Sequence, residues 1–201
     1  MSSDMSTARQ EVALSDRKEQ ILLAAIEIIA SKGYGKLTMR ALARASGMKL
    51  GALQYHFRTW EDLLQALATY IADAYQRSWQ ALHLGDEEVS LQSLVHFIIE
   101  DPAGSALSGD EFFPQLWAMA QVEPAMAATL DELYGVYLEK LEVRLTALGS
   151  RAPAAEALAI MSLLEGTIVF VGDDRRWANH RDAVHDAVRK LLEARYGDWK
   201  V

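Results

Sequence analysis

Residues 38–57 read TMRALARASGMKLGALQYHF, and their spacing predicts a helix-turn-helix. Leu42 and Ala43 fall on a first helix, Gly47 in the turn, Met48 just after it, and Leu53 and Phe57 on a second helix. Two helices crossing at about 90–120° within so few residues need a small side chain where they touch, and Ala43 supplies it. The turn needs a residue tolerant of positive φ, the property of glycine, and Gly47 is placed to provide it. Leu42, Met48, Leu53 and Phe57 then fill the wedge between the helices. From Lys32 to Arg58 the charged residues are Lys32, Lys36, Arg40, Arg44, Lys49 and Arg58, with no acid among them. A small scaffold of that charge suits a polyanion.

The basic block stands against an acidic chain of net charge -8. Residues 1–60 hold nine basic and five acidic residues, a net of +4, whereas residues 61–201 hold 11 and 23, a net of -12. Such asymmetry suggests a module that faces nucleic acid, joined to a body that DNA would repel. On charge alone the same lysines and arginines also read as a solvated helical face. The helix-turn-helix spacing is what favours DNA.

At 201 residues and 51% hydrophobic, the chain can bury a sizeable core. The absence of cysteine removes disulfides and thiolate metal sites and fits a reducing cytoplasm. The first fifteen residues lack an apolar core, so no signal peptide is expected. No uncharged apolar run reaches about 18 residues, which argues against a transmembrane helix. The nearest, Ala157 to Val171, is interrupted by Glu165.

Periodicity predicts an all-α fold of about nine helices. Ile21, Leu22, Ala25, Ile28 and Ile29 mark one face of a first helix. Asp16 and Glu19 resemble a capping box at its start, and Gly33 ends it. Thr59 and Asp62 resemble a second box, opening a helix that runs to about Leu84, where residues 85–88 break it. Further helices are expected over about 89–100, 113–121, 124–148, 153–171 and 179–196, with a loop at 101–110. The predicted division is a disordered tail (1–14), a DNA-binding domain (15–60) and an effector-binding and dimerisation domain (61–201).

The first helix followed by Gly33-Tyr34, Leu37-Thr38-Met39-Arg40, Ala43, Gly47, Gly51 and Tyr55-His56-Phe57 resembles the N-terminal module of the TetR family of transcriptional regulators. The likeness covers about residues 15–65; beyond it the helices agree only in number, length and order. The resemblance implies a homodimer, a recognition helix per subunit in adjacent major grooves, and a pocket whose small-molecule ligand releases DNA. It implies phosphate contacts from Thr38, Tyr55 and His56. At the start of the following helix, where the family usually has a phosphate-binding lysine, this chain has Trp60, with Arg58 nearby as a replacement charge.

By their chemistry, Arg40 and Lys49 suit guanine edges. Leu50 and Ala52 suit thymine methyls, Gly51 permits close backbone approach, and Gln54 suits adenine or a phosphate. Tyr55 and His56 alternatively cap the module's core. In the body, Phe97, Phe113, Trp117, Tyr134 and Tyr137 are candidates for a pocket, with ordinary core as the alternative. Phe112 and Met119 belong to the same apolar set. Glu165 stands alone among the fifteen residues from Ala157 to Val171, where an unpaired carboxylate is costly. Its options are a cationic ligand, an arginine, a subunit interface or water at a helix edge. His96 is a further pocket candidate. The helix at 153–171 and the face Val184, Ala187, Val188, Leu191 and Leu192 are expected to dimerise. No His-Glu-x-x-His, phosphate loop or nucleophile elbow points to an enzyme. His180, His185, Asp173 and Asp174 read better as surface polar residues than as metal ligands, and no cofactor is expected. The competing function is a helical small-molecule-binding protein with a vestigial DNA module.

Overall fold

A computed structural model describes residues 2–81, 89–107, 109–197 and 199, with side chains for 16–80, 89–107, 109, 111–197 and 199. Among the described residues every regular element is helical. The helices are α1 (Ser2–Lys32), α2 (Met39–Ala45), α3 (Leu50–His56), α4 (Trp60–Ala81), α5 (Leu91–Glu100), α6 (Pro102–Ala106), α7 (Phe113–Ala120), α8 (Pro124–Ala147), α9 (Pro153–Val171) and α10 (Arg181–Tyr196). Short 3₁₀ turns occupy Tyr34–Lys36, Gly109–Glu111 and Ala178–His180. The nine expected helices are present, and α6 is a tenth. The expected end of α4 near Leu84 lies outside the described residues.

Three local readings change. First, α1 starts at Ser2 and runs through the residues read as a tail. Nothing between Ser2 and Lys32 is a proline or glycine, so no residue obliges the helix to stop. Asp16 and Glu19 consequently lie inside α1 and cap nothing. Second, the expected loop at 101–110 contains α6. Pro102 sits at its first position, where a missing N–H costs nothing, and Asp101 caps it by accepting from the Gly104 N–H at 3.0 Å. Third, α9 is 19 residues long and apolar enough to cross a membrane by length and composition. Its two carboxylates, Glu156 and Glu165, do not disqualify such a helix. Here α9 packs against α8 and α10.

The box at α4 forms as its residues predict. Thr59 Oγ1 accepts from the Asp62 N–H at 3.0 Å, and an Asp62 carboxylate oxygen accepts from the Thr59 N–H at 3.1 Å. Thr59→Ala is expected to cost about 1 kcal/mol of stability, read as a lower denaturation midpoint at unchanged slope.

Ile21, Ala25, Ile26 and Ile29 of α1 are fully buried against Leu42, Ala43, Leu53 and Phe57. Leu63, Leu67 and Ile71 of α4 extend this core toward Leu116, Met126, Leu141 and Leu145 in the body. A second bridge runs through the 3₁₀ turn after α1. Gln115 Oε1 accepts from the Tyr34 N–H at 3.2 Å, and the Tyr34 hydroxyl donates to Glu123. Burial and that carboxylate push the Tyr34 hydroxyl well above its ordinary pKa.

Candidate nucleic-acid interface and ligand pocket

α2 and α3 are seven residues each. Gly47 between them has φ +64° and Gly33 at the end of α1 has φ +84°, the left-handed region that glycine enters without penalty. Thr38 caps α2 by accepting from the Ala41 N–H at 3.1 Å. The core side of this unit is Leu42, Ala43, Leu53 and Phe57. Its outer side presents Thr38, Arg40, Lys49, Gly51, Ala52, Gln54, Tyr55 and Arg58, all exposed. Leu50 is half-buried. A Cβ at Gly51 would meet no protein atom, so nothing within the domain calls for glycine there.

Tyr55 is 74% exposed, which removes its alternative role as a core cap. His56 is half-buried, edge-on to Tyr55 at 5.7 Å. Burial, helped by Lys18 and Arg17, holds its imidazole below the ordinary histidine range. Trp60 departs from the expectation of a phosphate contact. It packs on the core with its ring centroid 6.4 Å from that of Tyr34.

The body contains a cavity of about 340 Å³, within the range of small-molecule sites. Of the seven candidate pocket residues, Phe113, Tyr137 and Glu165 line it. His96 does not; it is exposed on α5 and lies 3.7 Å from Glu100, one turn away on the same helix face. Phe97 is buried in an aromatic cluster, 5.3 Å from Trp79 and 6.1 Å from Tyr137. Trp117 and Tyr134 stand behind the wall and act on it indirectly. The Trp117 indole N–H donates to the Tyr134 hydroxyl at 2.7 Å, and that hydroxyl lies near enough to Glu165 to oppose the rise of its pKa.

Sequence reasoning missed Tyr75 and Asp101, which face Glu165 across the cavity. Asp101 adopts φ +33°, ending α5 and capping α6. Such a conformation in a non-glycine residue is strained, and here it sets a carboxylate into the wall, where the Tyr75 hydroxyl donates to Oδ2 at 3.4 Å. An aspartate directly before a proline was the signal available, but in the linear chain it reads as a turn. Glu165 is pushed up to about 8 by burial first and by the Asp101 charge second, against the opposing Tyr134 hydroxyl. Its Oε2 is buried with no hydrogen-bond partner. Of the possible metal ligands, Asp173 and His185 also line the cavity, yet among the described residues no three His, Asp or Glu side chains are disposed to hold a metal.

The expected dimer face divides. Val188 and Leu192 of α10 are buried in the monomer and Val184 is partly buried, while Ala187 and Leu191 stay exposed. On α9 the exposed stripe comprises Ala154, Ala155, Leu158, Ala159, Ser162, Leu163, Val169 and Phe170, none of them charged. Glu165 is not part of it.

A helix-turn-helix with an acid-free outer surface is thus carried on a helical body with a cavity. Residues 21–67 match the family described as bacterial regulatory proteins, tetR family. The chain is 46% identical over 55 residues to the HTH-type transcriptional repressor Rv1474c of Mycobacterium tuberculosis, covering 27% of this chain and 29% of that protein. It is 26% identical over 116 residues to the HTH-type transcriptional regulator BetI of Escherichia coli, covering 56% and 59%. The matches thus span about a third and three-fifths of those relatives' lengths. Over nearly the whole chain, the fold is that of a transcriptional regulator from Saccharomonospora viridis solved with choline. That comparison has a TM-score of 0.71 and 19% identity, covering 89% of this chain and 96% of that one.

Proposed function

We propose that this protein is a ligand-responsive transcriptional regulator, a homodimeric repressor released from its DNA operator by a small molecule. The observation that carries the reading is the exposed, acid-free surface of α2 and α3 on a TetR-type domain. In a dimer, two α3 helices would enter major grooves one helical turn or a multiple of it apart. Arg40 and Lys49 are the proposed base readers. Thr38, Gln54, Tyr55, His56 and Arg58 are the proposed positioning contacts, since phosphate bonds fix register without specifying sequence. Trp60 is instead a packing residue at the root of α4.

The body supports the regulatory half of the reading. α4 is continuous from the DNA-binding domain into the body, and Tyr75 on it lines the cavity. α7 carries Phe113 in the wall and Gln115 against Tyr34. A ligand that shifts α4 or α7 therefore acts on the placement of α3. It does so only to the extent that it binds the two arrangements with different affinity. The stripe on α9, continued by Ala187 and Leu191 on α10, supports dimerisation.

Selection of the protein on a random duplex library, followed by a salt series, tests the proposal. A two-fold related site is expected, with log affinity falling steeply against log salt. Arg58→Ala, where the lost contact is a phosphate, should reduce that slope by about one unit. Arg40→Ala, where it is a guanine, should cost about 1–3 kcal/mol at one position of the site. No enrichment at any salt would favour a ligand-binding protein with a vestigial DNA module.

A further inference from the structure

The cavity is built asymmetrically. Its apolar side holds Leu133, Leu164, Ile168 and Val171, together with the rings of Tyr75, Phe113 and Tyr137. Tyr75 and Phe113 meet edge-to-face with centroids 5.9 Å apart. Its polar side is dominated by carboxylates. Glu100 and Asp101 come from the corner between α5 and α6, Glu165 from α9, and Asp173 and Asp182 from beyond α9. The basic residue in the lining, Arg181, is engaged, with its Nε–H donating to the Val171 carbonyl at 3.0 Å and its terminal amine 3.0 Å from Asp173.

We propose that this cavity takes a monovalent organic cation, an alkyl- or arylammonium, seated with its charge against Glu165 and Asp101 and its carbon shell against Tyr75, Phe113 and Tyr137. The inference rests on the reading of the cavity as the effector site and names the ligand class. Three observations converge on it. The Oε2 of Glu165 is buried without a hydrogen-bond partner, so the site holds an acceptor that the protein itself leaves unused. Aromatic faces beside it attract cations through their ring quadrupoles. The volume of about 340 Å³ matches a small organic molecule, and its apolar side offers nothing to a hydrated inorganic ion. An anionic ligand would face four carboxylates, the Glu165 carboxyl and an arginine already bonded.

Binding is coupled to proton release. The Tyr75 hydroxyl on α4 and those of Tyr134 and Tyr137 on α8 are held well above their usual range. His185 on α10 is held below 6.5 by burial and by Arg189 and Arg181. Arg181 and Asp182 on α10, Asp173 after α9, and Glu100 and Asp101 complete the charged surroundings. Glu165, pushed up to about 8, is therefore the group that gives up its proton as a cation arrives.

The test is calorimetry on the free dimer, without DNA, using choline and benzyltrimethylammonium as charged probes. The neutral control is 3,3-dimethylbutan-1-ol, the carbon analogue of choline. Both ammonium probes should bind at least about tenfold tighter than the control, and their affinity should rise by about tenfold between pH 6.5 and 8.5. Glu165→Gln should remove most of the binding and its pH dependence. Asp101→Asn, which keeps a capping side chain, should weaken binding without abolishing it. Equal binding of the neutral control overturns the inference, as does unaltered binding in Glu165→Gln, or no binding of either probe at about 10 mM. Duplex release is scored separately: ammonium binding that never alters a duplex complex overturns the regulatory reading and leaves the cation site standing. Release by a neutral or acidic molecule does the reverse.

Discussion

The double variant Leu158→Glu/Phe170→Glu is expected to be a folded monomer that binds its selected duplex roughly 10²–10⁴-fold more weakly than the parent. Leu158 and Phe170 are 54% and 58% exposed in the single chain, so replacing them leaves the subunit core intact. Far-UV circular dichroism and thermal stability of the subunit should change little. In a two-fold interface each position occurs twice, so two substitutions place four carboxylates in an apolar seam. Each desolvated charge costs several kcal/mol without a partner. The loss of DNA affinity follows from the loss of linkage. A second recognition helix tethered to the first binds its half-site as an intramolecular event, and a monomer forfeits that advantage. Sedimentation and duplex titration on the same sample check both halves. A variant that remains dimeric would show that the α9 stripe is not the interface.

Glu165→Gln is expected to reverse its effect on stability with pH. The carboxyl is held up to about 8 in the folded chain against 4.5 for the free side chain, so folding favours its protonated form. Its contribution is complete below about pH 4.5 and is lost as pH rises through 8. Beyond that the fold carries a buried anion beside Asp101. The shift caps the penalty near ~5 kcal/mol; relaxation and water entry reduce it, and a few kcal/mol is the realistic size. Glutamine has no proton to lose. At pH 8.5 the variant should therefore melt roughly 5–10 °C above the parent. At pH 5 the two should agree within about 1 kcal/mol. Thermal melts at the two pH values decide it, and a constant difference at both would show that Glu165 does not titrate in this range.

The helix-turn-helix was legible because its determinants are local. Leu42, Ala43, Gly47, Leu53 and Phe57 lie within sixteen residues, and side-chain size and backbone tolerance at those positions leave few arrangements. The Thr59–Asp62 box and the limits of α9 were legible for the same reason. Where a local signal had a second use, reading it in isolation misled. Pro102 looked like a breaker, yet it opens α6; Asp16 and Glu19 looked like a cap, yet they sit mid-helix. Trp60 looked like a substitute phosphate contact, yet it packs on the core beside Tyr34, 26 positions earlier in the chain.

The sequence by itself determined that this chain is all-helical, that residues 38–57 form a helix-turn-helix with a basic outer surface, and that Glu165 is the anomalous charge of the body. Those are properties of composition, period and spacing. Only the tertiary structure decided what surrounds Glu165. Tyr75, Asp101, Phe113, Tyr137 and His185 come from separate elements spread over more than a hundred residues, and no periodicity within one helix records which of its faces will meet another's. The same limit sent His96 to solvent and Phe97 into an aromatic cluster. It also divided the α10 face, because burial of Val188 and Leu192 depends on where α9 lies and not on the spacing of α10.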